Sequence, residues 1–266
     1  MCGIVGYLGP KQAYPILIDG LKRLEYRGYD SAGIATLEDK ATLRIEKKQG
    51  KVANLEVHVG NEKPKGTVGI GHTRWATHGP PNDINAHPHA GGQGHLAVIH
   101  NGIIENYEAL RELLTHRGHN LVSETDTEVL AHFIEEVQLT TGLDLPDAVR
   151  TALKEVVGAY ALVVLDQRHP DRLIAARKSS PLVIGVGQDN EFFVGSDATP
   201  IVAYTKNVIY LEDEEVATMH RSGELTIRTI GDAVVTPEIH AIELEMASLE
   251  KAGYDHFMLK EIFEQP

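Results

Sequence analysis

The sequence is poor in cysteine, and its single cysteine, Cys2, stands one peptide bond from the start of the chain. One cysteine cannot form an internal disulfide, which favours a reducing compartment. The chain also lacks the basic start and apolar stretch of a secretory signal. Its longest apolar run, 159–165, is far too short to span a bilayer. We therefore expect a cytoplasmic protein without membrane spans.

Positive charge is scarce as well. Lys and Arg total 25 against 38 Asp and Glu, which gives a formal net charge of -13. Such a chain repels phosphate backbones and anionic lipid surfaces, so neither nucleic acid nor a membrane is an expected partner. A length of 266 residues with 42% hydrophobic content is enough for a substantial core in one large domain or two small ones.

The position of Cys2 gives it a special chemistry if Met1 is removed. One residue would then carry a thiol and a free α-amine, whose ordinary pKa values are about 8.5 and about 7.7 to 8.0. A base whose pKa lies near the working pH is an efficient proton acceptor, so no separate histidine is needed. The pair could form and hydrolyse a thioester. The alternative is a small apolar cysteine that opens an edge strand.

Hydrophobic spacing predicts the secondary structure. Helices are predicted around 17–24, 52–59, 107–114 and 126–140, and after Pro146. Strands are predicted at 2–8, near 34, at 43–45, from 67, and at 95–100, 103–104, 159–166, 172–177, 181–187, 191–197, 208–211, 215–220 and 224–230. Because the helices fall between strand-rich halves, the predicted class is α+β, with antiparallel sheets covered by helices.

Three segments carry more specific predictions. Asn101 and Gly102 form a dipeptide that commonly makes a tight turn between two strands. Thr125 and Glu128 form a capping-box pattern that opens a helix at Asp126. The proline- and glycine-rich stretch 78–94 reads as a long loop, either a lid that closes over a ligand or a surface connection. We favour the lid because Arg74 and Trp75 precede it.

Six motifs occur in order along the chain: Cys2, YRGYDSAGI at 26–34, GHTRWATHG at 71–79, NAHPH at 85–89, HNGIIEN at 100–106 and SETDTE at 123–128. Together they resemble the glutaminase domain of the glucosamine-6-phosphate synthases, a family of class II, or N-terminal nucleophile, amidotransferases. The resemblance covers residues 2–240. It implies a four-layer αββα sandwich for a domain at 1–240. Residues 241–266, with helical spacing around Met246, would be a linker and the start of a sugar isomerase region that this chain lacks.

The resemblance also implies an activity and the residues that perform it. Cys2 would attack the side-chain amide of L-glutamine, while the Asn101 amide and the Gly102 backbone N–H would stabilise the oxyanion. Arg74 would bind the α-carboxylate, for which a guanidinium is suited, and Asp126 the α-ammonium, although helix capping is a competing role for that carboxylate. The remaining residues implied to line or support the glutamine site are Arg27, Trp75, Thr77 and His78. No metal and no cofactor is implied, and the full enzyme would be a homodimer.

Three alternatives stay open at this stage. The same pocket could belong to a glutamine-sensing module without catalysis, or the glutaminase could serve another acceptor. A metal site is also conceivable, because histidines are concentrated at His72, His78, His87, His89, His95 and His100. No HExxH helix or zinc-spaced cysteine pair accompanies them. The IGVGQ stretch at 184–188 lacks the basic residue and helix start of a phosphate loop.

Overall fold

The computed structural model describes residues 2–38, 42–242 and 262–263. The helices are α1 Ala13–Leu24, α2 Val52–Val59, α3 Tyr107–His116, α4 Asp126–Thr141 and α5 Leu145–Glu155, and a 3-10 turn occupies Glu25–Arg27. The first eight strands are β1 Gly3–Leu8, β2 Ser31–Leu37, β3 Leu43–Gln49, β4 Val68–Arg74, β5 His89–Ala90, β6 Leu96–Ile104, β7 Gly158–Asp166 and β8 Arg172–Lys178. They are followed by β9 Val183–Val186, β10 Phe192–Gly195, β11 Asn207–Tyr210, β12 Glu215–His220, β13 Leu225–Thr229, β14 Val234–Val235 and β15 His240–Ala241.

The strands form two antiparallel sheets. The first sheet has the order β15-β11-β9-β10-β1-β4-β2-β3, and the second has the order β14-β13-β12-β8-β7-β6-β5. Strand β1 lies between β10 and β4 in the first sheet, and β6 lies between β7 and β5 in the second. Strands β1 and β4 are therefore interior strands with hydrogen-bonded neighbours on both sides. Strand β6 is paired along its whole length with β7, and with β5 only at Ala97 and Val98.

The two sheets pack face to face, and helices cover their outer faces. Because side chains alternate along a strand, Ile4 packs between the sheets while Val5 faces α1 and α2. In the second sheet Ile99 packs between the sheets, and Val98 faces α3, α4 and α5. The layers are thus helix, sheet, sheet and helix. This arrangement confirms the α+β class and the four-layer αββα sandwich.

Most predicted elements are present. The strand at 2–8, the helix around Leu17 and the hairpin that contains Leu43 are found as β1, α1 and the β2–β3 pair. The short strands β14 and β15 were not predicted, because each has only two residues and exposed positions give no alternating signal. The helix predicted around Met246 lies outside the described residues. In the described part of the chain, no helix has both the length and the apolar content that crossing a bilayer requires.

The tight turn predicted at Asn101 and Gly102 is wrong. Strand β6 runs straight through both residues and stays paired with β7, with Asn101 opposite Ala161 and Gly102 opposite Tyr160. Gly102 has φ +128°, and a Cβ built on it would lie 2.0 Å from the carbonyl oxygen of Ala159. The glycine therefore allows a close approach of two strands, which is the other common reason for glycine inside a sheet.

We expect Gly102→Ala to destabilise the protein by about 3 kcal/mol or more, because it adds a collision with a backbone carbonyl to about 1 to 3 kcal/mol of φ strain. Gly118→Ala is the matched control, since Gly118 has φ +88° but nothing within 4 Å of its ideal Cβ. It should cost only about 1 kcal/mol. Urea unfolding of both variants measures the difference. Equal losses would show that β7 moves aside at little cost.

The segment 78–94 is a loop, as predicted, except for the two-residue strand β5 at His89–Ala90. Ala86, His87 and His89 are buried, and β5 pairs with β6. The sequence shows no alternating apolar pattern at this strand, because histidines occupy positions where apolar residues would normally mark a buried strand. The first half of the segment is fastened to the β3 strand, where Lys48 binds Asp83 at 2.7 Å. A lid made from the whole segment is not supported by these contacts.

Candidate active site

A cavity of about 230 Å³ opens beside Cys2. This is a small site, below the ~300 to 1,000 Å³ of pockets that take drug-sized ligands. Eight of the nine predicted site residues line it: Cys2, Arg27, Arg74, Trp75, Thr77, Asn101, Gly102 and Asp126. The ninth, His78, does not line the cavity but contacts three residues that do, Arg74, Thr77 and Asp126.

The sheet topology explains why these residues meet. Strands β1 and β4 are antiparallel neighbours with Gly3 opposite Thr73, so Cys2 at the start of β1 lies beside Arg74 at the end of β4. Asn101 and Gly102 come from β6 in the facing sheet. Helix α4, which packs on β6, begins at Asp126 and completes the wall. Four segments distant in sequence thus converge at one end of the sandwich.

The Cys2 thiol is held by the main chain of Trp75. The Trp75 N–H donates to Sγ at 3.2 Å, and the Trp75 carbonyl oxygen lies 3.5 Å from Sγ. Burial raises the pKa of the Cys2 thiol, whereas the Trp75 N–H and the Arg74 charge lower it. Since the net shift is upward, the resting thiol is protonated near neutral pH and needs a base to become a nucleophile.

The carbonyl group of Cys2 is fixed by two donors. Arg27 Nε donates to it at 3.0 Å and Asn101 Nδ2 at 3.1 Å. Arg27 is itself anchored by an ion pair of 3.0 Å between Nη1 and Asp197 Oδ2. The structure therefore places Arg27 against the backbone of the cysteine. Asp197 was missed by the sequence analysis, because it lies far along the chain in the loop after β10 and belongs to none of the six motifs.

The Asn101 side-chain amide faces the cavity from β6. Its Nδ2 contacts the Cys2 carbonyl, and its Oδ1 lies 2.9 Å from His72 Nε2. Gly102 lines the cavity next to it. A side-chain amide and a neighbouring backbone N–H held beside a thiol are the donor types that stabilise the oxyanion of acyl transfer. Both are rigid here because β6 is paired along its length.

The Arg74 guanidinium is buried and held by backbone carbonyls. It donates to the carbonyl oxygens of His78 and, at 3.4 Å, Pro80. Burial lowers the pKa of Arg74, and the nearby Cys2 and Asp126 oppose that shift. Within the ranges that the structure covers, no ion pair of Arg74 is found. A buried guanidinium without a carboxylate partner is suited to binding an anionic ligand.

The Asp126 carboxylate is free of helix capping. Thr125 is the N-cap of α4, and its Oγ1 accepts a hydrogen bond of 3.2 Å from the Glu128 N–H. The Glu128 carboxylate accepts from the Ser123 N–H instead of returning to Thr125, so only half of the predicted capping box forms. Asp126 Oδ2 accepts from the Ile104 N–H at 2.9 Å. The carboxylate is thereby oriented towards the cavity at the positive end of a helix.

The remaining predicted residues lie at the rim. The Trp75 side chain is 51% exposed. Thr77 Oγ1 lies 3.3 Å from His78 Nδ1, which in turn lies 3.9 Å from Asp126 Oδ1. The His78 ring packs edge-on against Tyr107 at 5.0 Å. His78 is therefore placed to support the Arg74 and Asp126 side chains from outside the cavity.

Asp30 was also missed. Its Oδ2 accepts from the Ala76 N–H at 2.9 Å, and its own N–H donates to the Arg74 carbonyl at 3.0 Å. Asp30 thus braces the backbone segment that carries Arg74 and Trp75. A signal was available, because Asp30 belongs to the motif at 26–34, of which only Arg27 was given a role.

Most of the clustered histidines have hydrogen-bonding roles. His72, His87, His89 and His100 are buried, and burial lowers the pKa of each. Their ring nitrogens contact backbone groups or hydroxyls of neighbouring segments, as when His89 Nε2 meets Thr125 Oγ1 at 3.0 Å. Among the residues that are described, no three His, Cys, Asp or Glu side chains are arranged to hold a metal ion.

Comparisons with known proteins relate the chain to the glutamine amidotransferases. Residues 72–203 match the family described as the glutamine amidotransferase domain. The chain is 58% identical over 266 residues to the glutamine–fructose-6-phosphate aminotransferase (isomerizing) of Bacteroides thetaiotaomicron, covering 100% of this chain and 43% of that protein. Its identity to the protein of the same name from Pyrococcus horikoshii is 50%, covering 100% of this chain and 44% of the relative. The chain thus spans less than half the length of these relatives.

A solved structure has the same fold. The glutamine phosphoribosylpyrophosphate amidotransferase of B. subtilis, complexed with ADP and GMP, superposes with a TM-score of 0.75 at 28% identity. The match covers 88% of this chain and 50% of that one. The two-sheet sandwich is therefore shared with a protein named as an amidotransferase.

Proposed function

The chain belongs to the glutamine amidotransferase family, and from this premise we propose that it hydrolyses L-glutamine to L-glutamate and ammonia through a thioester on Cys2. The observation that carries the proposal is the convergence of four groups on one small cavity. They are the Cys2 thiol, the Asn101 amide, the Arg74 guanidinium and the Asp126 carboxylate.

These groups match the functional groups of glutamine. Its α-carboxylate would pair with Arg74 and its α-ammonium with Asp126, and its side-chain amide would then lie towards Cys2. Because the two charged contacts are separate, a glutamine analogue without the α-carboxylate or without the α-ammonium would lose the corresponding contact. The cavity volume of about 230 Å³ is consistent with a single amino acid.

The reaction follows from these positions. Cys2 Sγ attacks the amide carbon, and the new S–C bond forms as the carbonyl electrons move onto oxygen, where Asn101 and Gly102 donate hydrogen bonds. The C–N bond then breaks, and the nitrogen leaves as ammonia with the proton taken from the thiol. A water molecule attacks the thioester, glutamate departs, and the thiol is regenerated.

The base in this scheme is the α-amine of Cys2, which exists only after removal of Met1. Burial raises the pKa of the thiol, so a proton acceptor is required. Among the described residues, only the Trp75 backbone N–H is found hydrogen-bonded to Sγ through a nitrogen atom, and this group is a donor. A free α-amine has its ordinary pKa near about 7.7 to 8.0 and would lie on the same residue.

The acceptor of the ammonia is proposed from the relatives alone. Their name indicates that they aminate fructose 6-phosphate. We propose the same acceptor, bound by a C-terminal sugar isomerase region outside this chain, in a homodimeric cytoplasmic enzyme. Another acceptor is the alternative, and the full-length protein assayed with fructose 6-phosphate and glutamine would distinguish the two by whether glucosamine 6-phosphate forms.

We expect glutamate release to depend on loss of Met1. Preparations made with and without inhibition of methionine aminopeptidase should differ by at least about 100-fold in turnover, because a general base contributes roughly 10² to 10⁴. Intact mass and glutamate release are measured on the same samples, with urea unfolding to show that both forms fold. Equal turnover by the form that retains Met1 would contradict the role of the α-amine.

The rival function is a glutamine-sensing module that binds without turnover. It uses the same Arg74 and Asp126 contacts, so binding alone does not separate the two. A processed, folded chain that binds glutamine in calorimetry and releases no glutamate would overturn the hydrolase in favour of the sensor.

A further inference from the structure

We propose that His72 is a positioning residue for the oxyanion hole: its Nε2–H fixes the orientation of the Asn101 side-chain amide, so that the NH₂ group faces Cys2. The catalytic consequence rests on the glutaminase function proposed above. The positioning itself rests on contacts within the chain.

The His72 ring meets two oxygen atoms through one nitrogen. Nε2 lies 2.9 Å from Asn101 Oδ1 and 3.0 Å from the carbonyl oxygen of His100. A backbone carbonyl can only accept a hydrogen bond, so the nitrogen that meets it must carry the proton. His72 is 1% exposed, so its ring is shielded from bulk solvent.

The His72 ring carries a single proton. Burial lowers the pKa of His72 to about 3, so the imidazole is neutral and carries one proton. Its Nδ1 is buried and has no hydrogen-bond partner among the described residues. A proton on Nδ1 would leave a buried N–H unsatisfied and point the Nε2 lone pair at a carbonyl oxygen. Both effects are unfavourable, so the Nε2–H tautomer is the stable one.

The Asn101 side-chain amide is oriented by its two hydrogen-bond neighbours. The two ends of an amide have nearly the same shape, and the hydrogen-bond network decides which way they point. The Cys2 carbonyl, 3.1 Å from Nδ2, can only accept, and His72 Nε2–H can only donate. A flipped amide would oppose oxygen to oxygen at one end and N–H to N–H at the other. Both neighbours therefore select the same orientation.

The contact between His72 and Asn101 joins the two sheets. His72 comes from β4 in the first sheet and reaches Asn101 on β6 in the second, with its ring stacked on His87 at 4.2 Å. An imidazole nitrogen left unpaired in such an interior is destabilising. An apolar side chain would avoid that loss. The polar residue is explained if its donor has a task at the cavity.

The test compares two substitutions at this position. In His72→Gln, the side-chain amide nitrogen can replace Nε2–H as a donor, whereas His72→Met fills the space without a donor. We expect His72→Met to lower kcat for glutamine hydrolysis by about 10- to 100-fold, as small misplacements of a catalytic group do, with KM nearly unchanged. His72→Gln should recover most of the loss. His132→Met, which removes another buried histidine with a ring partner, is the control and should leave kcat unchanged.

A double-variant cycle separates positioning from a general structural effect. Asn101→Ala alone should cost about 10² to 10³ in kcat, and adding His72→Met should then change kcat little, because the group it positions is gone. If the two losses multiply, or if KM and the unfolding midpoint account for the loss, the proposal is overturned.

A measurement without glutamine keeps the proposal testable if the chain is not a glutaminase. The Asn101 NH₂ protons, assigned by NMR from their loss in Asn101→Ala, should exchange slowly with solvent in the wild type and in His72→Gln. They should exchange at least about tenfold faster in His72→Met, because one of the two contacts that hold the amide is lost. Unchanged exchange in His72→Met would refute the positioning role whatever the activity is.

Discussion

Cys2→Ala is expected to lower glutamate release by roughly 10⁴- to 10⁶-fold, which is the scale of loss when a catalytic nucleophile is removed. No other group can take its place, since Cys2 is the only cysteine of the chain and its Sγ faces the cavity. The measurement is glutamate release from glutamine by the processed chain and the processed variant at the same concentration.

The variant should still bind glutamine, because Arg74 and Asp126 are untouched, and calorimetry should give a similar affinity. Cys2→Ser is the matched control. Its hydroxyl can still accept the Trp75 N–H, which lies 3.2 Å from Sγ in the wild type, but a hydroxyl is a weaker nucleophile than a thiol without a tuned base. Release by Cys2→Ala within about tenfold of the wild type would exclude the thioester mechanism.

Local patterns were sufficient for most of the fold. The apolar strand at Gly3–Leu8 and the helix at Ala13–Leu24 have clear periods, because each has a face that must be buried. The turn predicted at Asn101-Gly102 was wrong for a physical reason. The same dipeptide suits a turn or a close strand crossing, and the choice depends on β7, more than fifty residues away in sequence. Pairing with such a distant strand cannot be predicted from the local sequence.

The site shows the same limit. Most residues that line the cavity fall in short motifs, which made them recognisable by resemblance. Ser180 and Pro181 also line it but belong to none of the motifs, and the sequence analysis missed them. The residues that hold them were missed, because each acts through a contact between distant segments: Asp197 with Arg27, Asp30 with Ala76, and His72 with Asn101. Their chemistry is visible only when both partners and their atoms are placed.

Arg74→Ala should reduce kcat/KM for glutamine by about 30- to several thousand-fold. The range corresponds to the ~2 to 5 kcal/mol lost when one partner of a buried, hydrogen-bonded charge pair is truncated, at about 1.4 kcal/mol per factor of ten. The unpaired partner would be the α-carboxylate of glutamine. Arg74→Lys should recover only part of the loss, since an ammonium does not reproduce the two parallel hydrogen bonds of a guanidinium.

The decisive comparison uses glutamine whose α-carboxylate is converted to a carboxamide. The wild type should strongly prefer glutamine, and Arg74→Ala should lose most of that preference, because the group that binds the negative charge is absent.

Arg74 also donates hydrogen bonds to the carbonyls of His78 and Pro80, so a loosened loop could lower activity by itself. Asn85→Ala is the matched control: Asn85 Nδ2 donates to the Pro80 carbonyl at 3.1 Å but carries no charge. It should loosen the same loop and keep the preference for the carboxylate. If both variants keep the preference, Arg74 organises the loop and another group binds the carboxylate.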